Sequence, residues 1–125
     1  AALNAAAIAV SLFVEPESRQ IEAAAALGAR MVELHTGRYC ELAGAAREAE
    51  VTRMIAAARQ AHRMGLQVNA GHGLTADNVR GLLRVPHLHT LNIGHSIIAR
   101  AIFVGLERAV RELLAALEGY SGGEP

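Results

Sequence analysis

Aromatic side chains are almost absent from this chain: two Phe, two Tyr and no Trp make up 3% of its 125 residues. A core must therefore be built from Ala, Leu, Ile and Val, and the 52% hydrophobic content is enough to build one for a single domain. An excess of charge is missing too. Twelve Lys+Arg balance twelve Asp+Glu, which excludes the basic stripe that nucleic-acid binding needs. The single cysteine, Cys40, cannot form an internal disulfide, and with no secretory pattern present it points to the reducing cytoplasm. The apolar run from Ala1 to Val14 is too short to span a membrane, contains Asn4 and Ser11, and has no basic segment before it. The chain lacks an initiator Met and starts abruptly in Ala-rich, helix-like sequence, so it is expected to be a piece of something longer.

Against these absences stands a repeat. Asn69-Ala70-Gly71-His72-Gly73-Leu74-Thr75 returns 23 positions later as Asn92-Ile93-Gly94-His95-Ser96, with Asn, Gly and His at the same relative positions. Each copy follows a short apolar run and precedes a helical pattern. Each Gly-His pair therefore sits where a strand turns into a helix, the junction at which α/β folds place their chemistry.

Taken in order, residues 1 to 7 read as the end of a helix and Ile8 to Val14 as a buried strand closed by Glu15-Pro16. Glu17 to Leu27 reads as a helix stopped by Gly28, and Arg30 to His35 as a second strand. Thr36 to Tyr39 reads as a loop, and 40 to 46 as irregular; the stretch from Gly37 to Ala46 is a candidate lid over a substrate. A long helix follows from about Arg47 to Met64, with Val51, Met54, Ile55, Ala58 and His62 on one face. Leu66 to Ala70 is the third strand, and Thr75 is a good N-cap for the helix after it, which ends before Pro86. The fourth strand runs from about His89 to Ile93. One last helix from near Ser96 carries an apolar face through Ile98, Ala101, Ile102, Leu106, Ala109, Val110, Leu113 and Leu117, and residues 119–125 form a Gly-rich tail expected to fray.

Four βα units in succession require parallel strands and right-handed crossovers. A small doubly wound sheet and half of a (βα)8 barrel both fit that order. Period-two alternation separates them: Val32 and Leu34 oppose Glu33 and His35, and Val68 and Ala70 oppose Gln67, Asn69 and Gly71. Likewise Val10, Leu12 and Val14 oppose Ser11, Phe13 and Glu15, and Leu91 and Ile93 oppose Thr90, Asn92 and Gly94. A doubly wound sheet is covered on both faces and wants both apolar. One polar face per strand favours a parallel (βα)4 half-barrel occupying residues 1–118.

The polar residues arriving at the carboxyl ends of the strands are Glu15, then Glu33, His35 and Thr36, then Asn69 and His72, then Asn92 and His95. Gly71, Gly73 and Gly94 allow a close backbone approach, and helix starts near Thr75 and Ser96 add partial positive charge, so a phosphomonoester is the expected ligand. Duller roles compete with these. A histidine at a strand end often only orients a loop, and Glu33 in an apolar strand either pairs with an Arg or acts on a substrate. His35, His72 and His95 show no close pair or Asp partner at metal-ligand spacing, so no metal is expected. His62, His87 and His89 read as structural or solvated, and Cys40 as a bystander without a nucleophile motif.

The segments Val10-Ser11-Leu12-Phe13-Val14, Gln20-Ile21-Glu22-Ala23-Ala24, Val32-Glu33-Leu34-His35-Thr36-Gly37-Arg38-Tyr39, Val68 to Leu74 and Leu91 to Ala101 closely resemble the pyridoxine 5′-phosphate synthases. The resemblance runs from about residue 8 to about 117 and corresponds to the last four βα units of that family's (βα)8 barrel. It implies a ring-closing condensing transferase of vitamin B6 biosynthesis, joining 1-deoxy-D-xylulose 5-phosphate to 3-amino-2-oxopropyl phosphate with release of inorganic phosphate and water, and needing no cofactor. It also implies that His72 is the proton donor, that Glu33 stabilises charged intermediates, and that Gly73, Gly94 and His95 bind the aminoketone phosphate. Full-length relatives form octamers, so a homo-oligomer is implied. The half that supplies the family's basic glutamate and histidine, and its other substrate-holding residues, is missing here, so the chain alone is expected to be inactive. Another phosphate-binding barrel enzyme, or a non-catalytic half-barrel serving as a binding or assembly module, are the alternatives.

Overall fold

The computed structural model describes residues 2–122. A short helix α1 (Ala2–Ala5) leads into strand β1 (Ser11–Val14), which starts three residues later than the apolar run suggests. Then come helix α2 (Ser18–Ala26), strand β2 (Met31–His35), helices α3 (Gly37–Glu41) and α4 (Gly44–Arg63), and strand β3 (Gln67–Gly71). A 3-10 helix (Val79–Arg84), strand β4 (Leu88–Asn92) and helices α5 (His95–Val104) and α6 (Leu106–Ala116) complete the order.

All strand pairs are parallel and the spatial order is the chain order, β1-β2-β3-β4. A doubly wound sheet would reverse direction at a switch point; this one never does. Crossovers that all advance in one direction with the usual right hand put the helices they contain on one side, and α2, α4 and α6 pack there. Ile21 and Ala24 of α2 and Val51, Met54, Ala57, Ala58 and Ala61 of α4 form one buried cluster with Val32, Leu34, Val68 and Ala70. Leu113 and Ala116 of α6 close a smaller one with Val79, against which Leu91 and Ile93 pack. The four parallel strands and their helices are an α/β fragment consistent with half of a TIM barrel.

The register sets the opposite face. Phe13, Glu33, Asn69 and Thr90 pair in turn across the sheet and so form one row, while Val32 pairs with Val68, Leu34 with Ala70, and Ala70 with Leu91 on the helix-covered side.

Three local expectations are corrected. The stretch read as loop and irregular segment after β2 is helical: α3 occupies Gly37–Glu41 and α4 begins at Gly44, three residues early. It is anchored by Tyr39, whose buried hydroxyl donates to the Asn78 carbonyl and whose ring lies 5.4 Å from the Arg47 guanidinium. No periodicity is visible in five residues, because the burial of one aromatic ring decides their conformation. The helix expected from Thr75 is instead a turn followed by the 3-10 helix. Thr75 and Asn78 exchange hydrogen bonds, with the Thr75 N–H donating to Asn78 Oδ1 at 2.8 Å, and Gly81 packs so close to Tyr39 that a Cβ there would meet its hydroxyl. The single last helix breaks at Gly105, whose φ of +84° suits glycine and ends α5. After α6, in the tail that begins at 119, the Tyr120 hydroxyl donates to the Val85 carbonyl at 3.1 Å and accepts from the Leu88 N–H at 2.8 Å, and the His87 N–H donates to the Gly122 carbonyl. The part of that tail from 123 to 125 lies outside the described residues.

Among the described residues no helix is long and apolar enough to cross a membrane. None of α5's residues is buried, although Ile98, Ile102 and Phe103 are large and apolar; Phe103 is 82% exposed.

Candidate active site

The polar row of the sheet ends in a cluster of side chains fixed by specific bonds. Glu33 projects from β2, and its Oε2 accepts from the Asn92 side-chain amide of β4 at 2.6 Å. The strand between them contributes Gly71, where any Cβ would collide with Glu33 Oε1 and lie 2.8 Å from the Asn92 carbonyl oxygen. Glycine is therefore required here for space: Gly71 lets a carboxylate and an amide meet across a strand.

The repeated Asn-x-Gly-His motif is not laid out equivalently in its two copies. An irregularity at Val68/Asn69 pairs Asn69 with Thr90 and Gly71 with Asn92, so the second copy reaches the strand end two residues sooner. Asn92 consequently meets Glu33, while Asn69 is buried within the strand and its Oδ1 accepts from Gln67 at 3.1 Å.

His72 follows β3 with φ +85°, a left-handed conformation rare for a residue with a Cβ. Thr36 compensates. Its buried hydroxyl is 2.6 Å from the Gly71 carbonyl and 2.5 Å from the His72 carbonyl, and its N–H donates to Gly71 O at 2.9 Å. Cys40 Sγ lies 3.6 Å from the same His72 carbonyl and against Gly73, whose φ is +75°. Burial pushes the Cys40 thiol up, against smaller opposing effects from hydrogen bonds to Asn78 and Thr36, which leaves it a poor nucleophile.

Beyond β4, Gly94 precedes α5, a helix of ten residues whose first is His95. The Ser96 hydroxyl donates to the Leu74 carbonyl at 2.6 Å and ties the two glycine-containing loops together. A Cβ on Gly94 would meet nothing within 4 Å, so the backbone there faces open space. Phe13, Glu33, His72, Gly73, Thr75, Gly94 and His95 all border one open cleft of about 550 Å³. All five site residues expected from the sequence are thus brought together: Glu33, His72, Gly73, Gly94 and His95. Gly73 and the α5 start supply glycine surface and backbone N–H groups suited to an anion.

Two strand-end residues fall beside the cleft. His35 Nδ1 is 2.6 Å from Glu15 Oε1, and its ring packs 4.9 Å from that of His72. Glu15 also lies 3.5 Å from Arg53, which is held by the buried Glu50 at 2.7 Å; this bond is the chief reason the Arg53 guanidinium is raised above its ordinary pKa. His62 and His87 stack on each other at 3.8 Å, and His89 pairs with Thr90 at 2.9 Å, both away from the cleft. Among the described residues no three His, Cys, Asp or Glu side chains are grouped so as to hold a metal.

Phe13 and Gly37 escape the sequence reading. Period two already puts Phe13 on the polar face, half-exposed in the same row as Glu33, and its ring lies 6.5 Å from that of His72. Gly37 leaves no local sign beyond following Thr36, yet a Cβ there would lie 2.6 Å from His35 Nε2 and 3.1 Å from His72 Cδ2.

Residues 1–119 match the family model described as Pyridoxal phosphate biosynthesis protein PdxJ. The chain is 54% identical over 115 residues to a pyridoxine 5'-phosphate synthase of Akkermansia muciniphila, covering 91% of this chain and 47% of that protein. It is 55% identical over 116 residues to one of Synechococcus sp., covering 92% and 48%, and 52% identical over 123 residues to one of Rhodospirillum rubrum, covering 98% and 49%. The chain spans about half the length of the curated relatives it matches.

Proposed function

This chain belongs to the pyridoxal phosphate biosynthesis protein PdxJ family, and from that premise we propose that it is the C-terminal half of a pyridoxine 5′-phosphate synthase. The reaction would condense 1-deoxy-D-xylulose 5-phosphate with 3-amino-2-oxopropyl phosphate to give pyridoxine 5′-phosphate, inorganic phosphate and water. The observation that carries this reading is the convergence of Glu33, His72, Gly73, Gly94 and His95 on one cleft.

Ring closure needs protons delivered and removed at fixed atoms, charge balanced while intermediates form, and a phosphate gripped throughout. His72 is the proton donor in this scheme; imidazole exchanges protons near neutral pH, and the Thr36 hydroxyl holds the backbone that carries it. Glu33 faces cationic intermediates with a carboxylate whose Oε2 is already oriented by Asn92, so little reorganisation is needed when charge develops. Gly73 and Gly94 admit the aminoketone phosphate close to the main chain, and the N–H groups at the start of α5, beginning with His95, supply donors and the favourable end of a helix dipole.

The proton-accepting groups of the scheme are not among these residues. Turnover therefore requires the other half of the barrel, and the 125-residue chain is inactive by itself. Two measurements test the proposal. Inorganic phosphate titrated into the labelled chain should shift the amide signals of Gly73, Gly94 and His95 together. The chain assayed alone with both substrates should give no pyridoxine 5′-phosphate. Phosphate that leaves those three signals unmoved, or turnover by the chain alone, would sink the reading.

A further inference from the structure

The proton-donor scheme leaves one pair of charged and titratable side chains without a role: Glu15, one residue past β1, and His35, the last residue of β2. They are held from both sides. Glu15 has its N–H bonded to Gln20 Oε1 at 2.8 Å and its second carboxylate oxygen 3.5 Å from Arg53, which Glu50 fixes in turn. An ionised carboxylate can only accept, so the 2.6 Å contact between Glu15 Oε1 and His35 Nδ1 puts the imidazole proton on Nδ1. That bond removes the ring's freedom to flip.

On its far side His35 meets two further rings. Its centroid is 4.9 Å from Phe13 at 57° and 4.9 Å from His72 at 65°, and Phe13 and His72 are themselves 6.5 Å apart. Phe13 and His72 border the cleft; His35 does not. The chain passes this cluster at Gly37, where a Cβ would lie 2.6 Å from His35 Nε2 and 3.1 Å from His72 Cδ2.

We infer that the Glu15–His35 pair is a positioning device for His72: the carboxylate locks the His35 ring, and the locked ring, with Phe13, sets the plane from which His72 presents its proton to the cleft. The inference rests on His72 as proton donor. Its physical basis is preorganisation, since a donor ring free to change rotamer spends part of its time out of reach of the reacting atom.

The test is NMR of the 125-residue chain labelled with 15N-histidine at pH 8, reading the tautomer of each ring and the χ1-dependent couplings of His72. It needs no turnover. The wild-type chain should show His35 as the Nδ1–H tautomer and His72 in a single rotamer. Glu15→Ala should release His35 to a mixture of tautomers and average the His72 couplings, whereas Glu15→Gln, whose amide oxygen can still accept from Nδ1–H, should retain both signatures. An Nε2–H tautomer of His35 in the wild-type chain overturns the inference whatever the variants do. So does a folded Glu15→Ala chain with unchanged His72 couplings, which would reduce Glu15 to a structural residue. If Glu15→Ala does not fold, the wild-type and Glu15→Gln spectra decide. Phosphate added to the same samples reports separately on the cleft: phosphate shifts can fail with the tautomer intact, or appear with the tautomer lost.

Discussion

Asn92 donates its side-chain amide to Glu33 Oε2 at 2.6 Å across an intervening strand, and Gly71 on that strand is the reason it can. Gly71→Ala would force a methyl against Glu33 Oε1 and within 2.8 Å of the Asn92 carbonyl. Overpacking of this kind costs about 1–3 kcal/mol. The urea midpoint of Gly71→Ala should fall accordingly, and adding Glu33→Ala should recover only part of the loss, because the Asn92 contact is with backbone. Full recovery would show that the carboxylate alone dictates glycine here.

The two cleft glycines should separate folding from binding. Gly94→Ala adds a methyl that touches nothing within 4 Å, so its stability should stay within about 0.5 kcal/mol of wild type. The same methyl stands where the phosphate is proposed to sit. Affinity for inorganic phosphate should weaken about tenfold, equivalent to about 1.4 kcal/mol. Gly73→Ala should do the reverse in emphasis, losing about 1–2 kcal/mol of stability from its φ of +75° alone. Calorimetry for binding and urea unfolding for stability read the two effects independently.

Tyr39 and Gly81 should couple. Tyr39→Phe removes the donor to the Asn78 carbonyl and should cost about 1–2 kcal/mol. A Cβ on Gly81 falls on the Tyr39 hydroxyl, with ring carbons at 3.1 and 3.2 Å behind it. Gly81→Ala should therefore be less damaging in the Tyr39→Phe background than in wild type, yet not harmless. A double-mutant cycle in urea measures the difference, and strict additivity would contradict the contact.

Acid should loosen α5 from α6. The Arg100 guanidinium, bonded at 2.7 Å, is the main cause that holds the Glu112 carboxyl at about 2 instead of 4.5, with Arg108 assisting. A carboxyl lowered in the folded state contributes its full stabilisation above its ordinary value and loses it as pH falls through the lowered one. The wild-type advantage over Glu112→Gln should thus be complete above about pH 5 and fade between 4.5 and 2. Hydrogen exchange of the α5 and α6 amides across that range checks the sign. The pair is solvent-accessible, so high salt should shrink the effect.

Much of this molecule is legible in its sequence. Strict alternation around Glu33 and around Asn69 places a polar face opposite Val32, Leu34, Val68 and Ala70, because β side chains alternate by stereochemistry alone. The glycines and histidines at the strand ends likewise follow from where each apolar run stops. Gly105 is a helix-stop signal that the sequence carries but its surroundings mask, since the apolar spacing continues from Ile102 through Leu106 to Ala109 across the break.

What the sequence determined by itself is the order of four βα units and the gathering of Glu33, His72, Gly73, Gly94 and His95 at one end of the sheet, since both follow from local periodicity and parallel connection. What only the tertiary structure decided are contacts between residues far apart in sequence. Thr36 holds the left-handed backbone of His72 from 36 residues away, Tyr39 makes a helix of an apparent loop by reaching Asn78, and Glu15 at the end of β1 reaches His35 on the neighbouring β2. A two-residue offset in strand pairing separates the roles of two nearly identical motifs, giving Asn92 to Glu33 and leaving Asn69 buried. Such offsets and reaches depend on how the strands are packed side by side, and no local pattern in the chain encodes them.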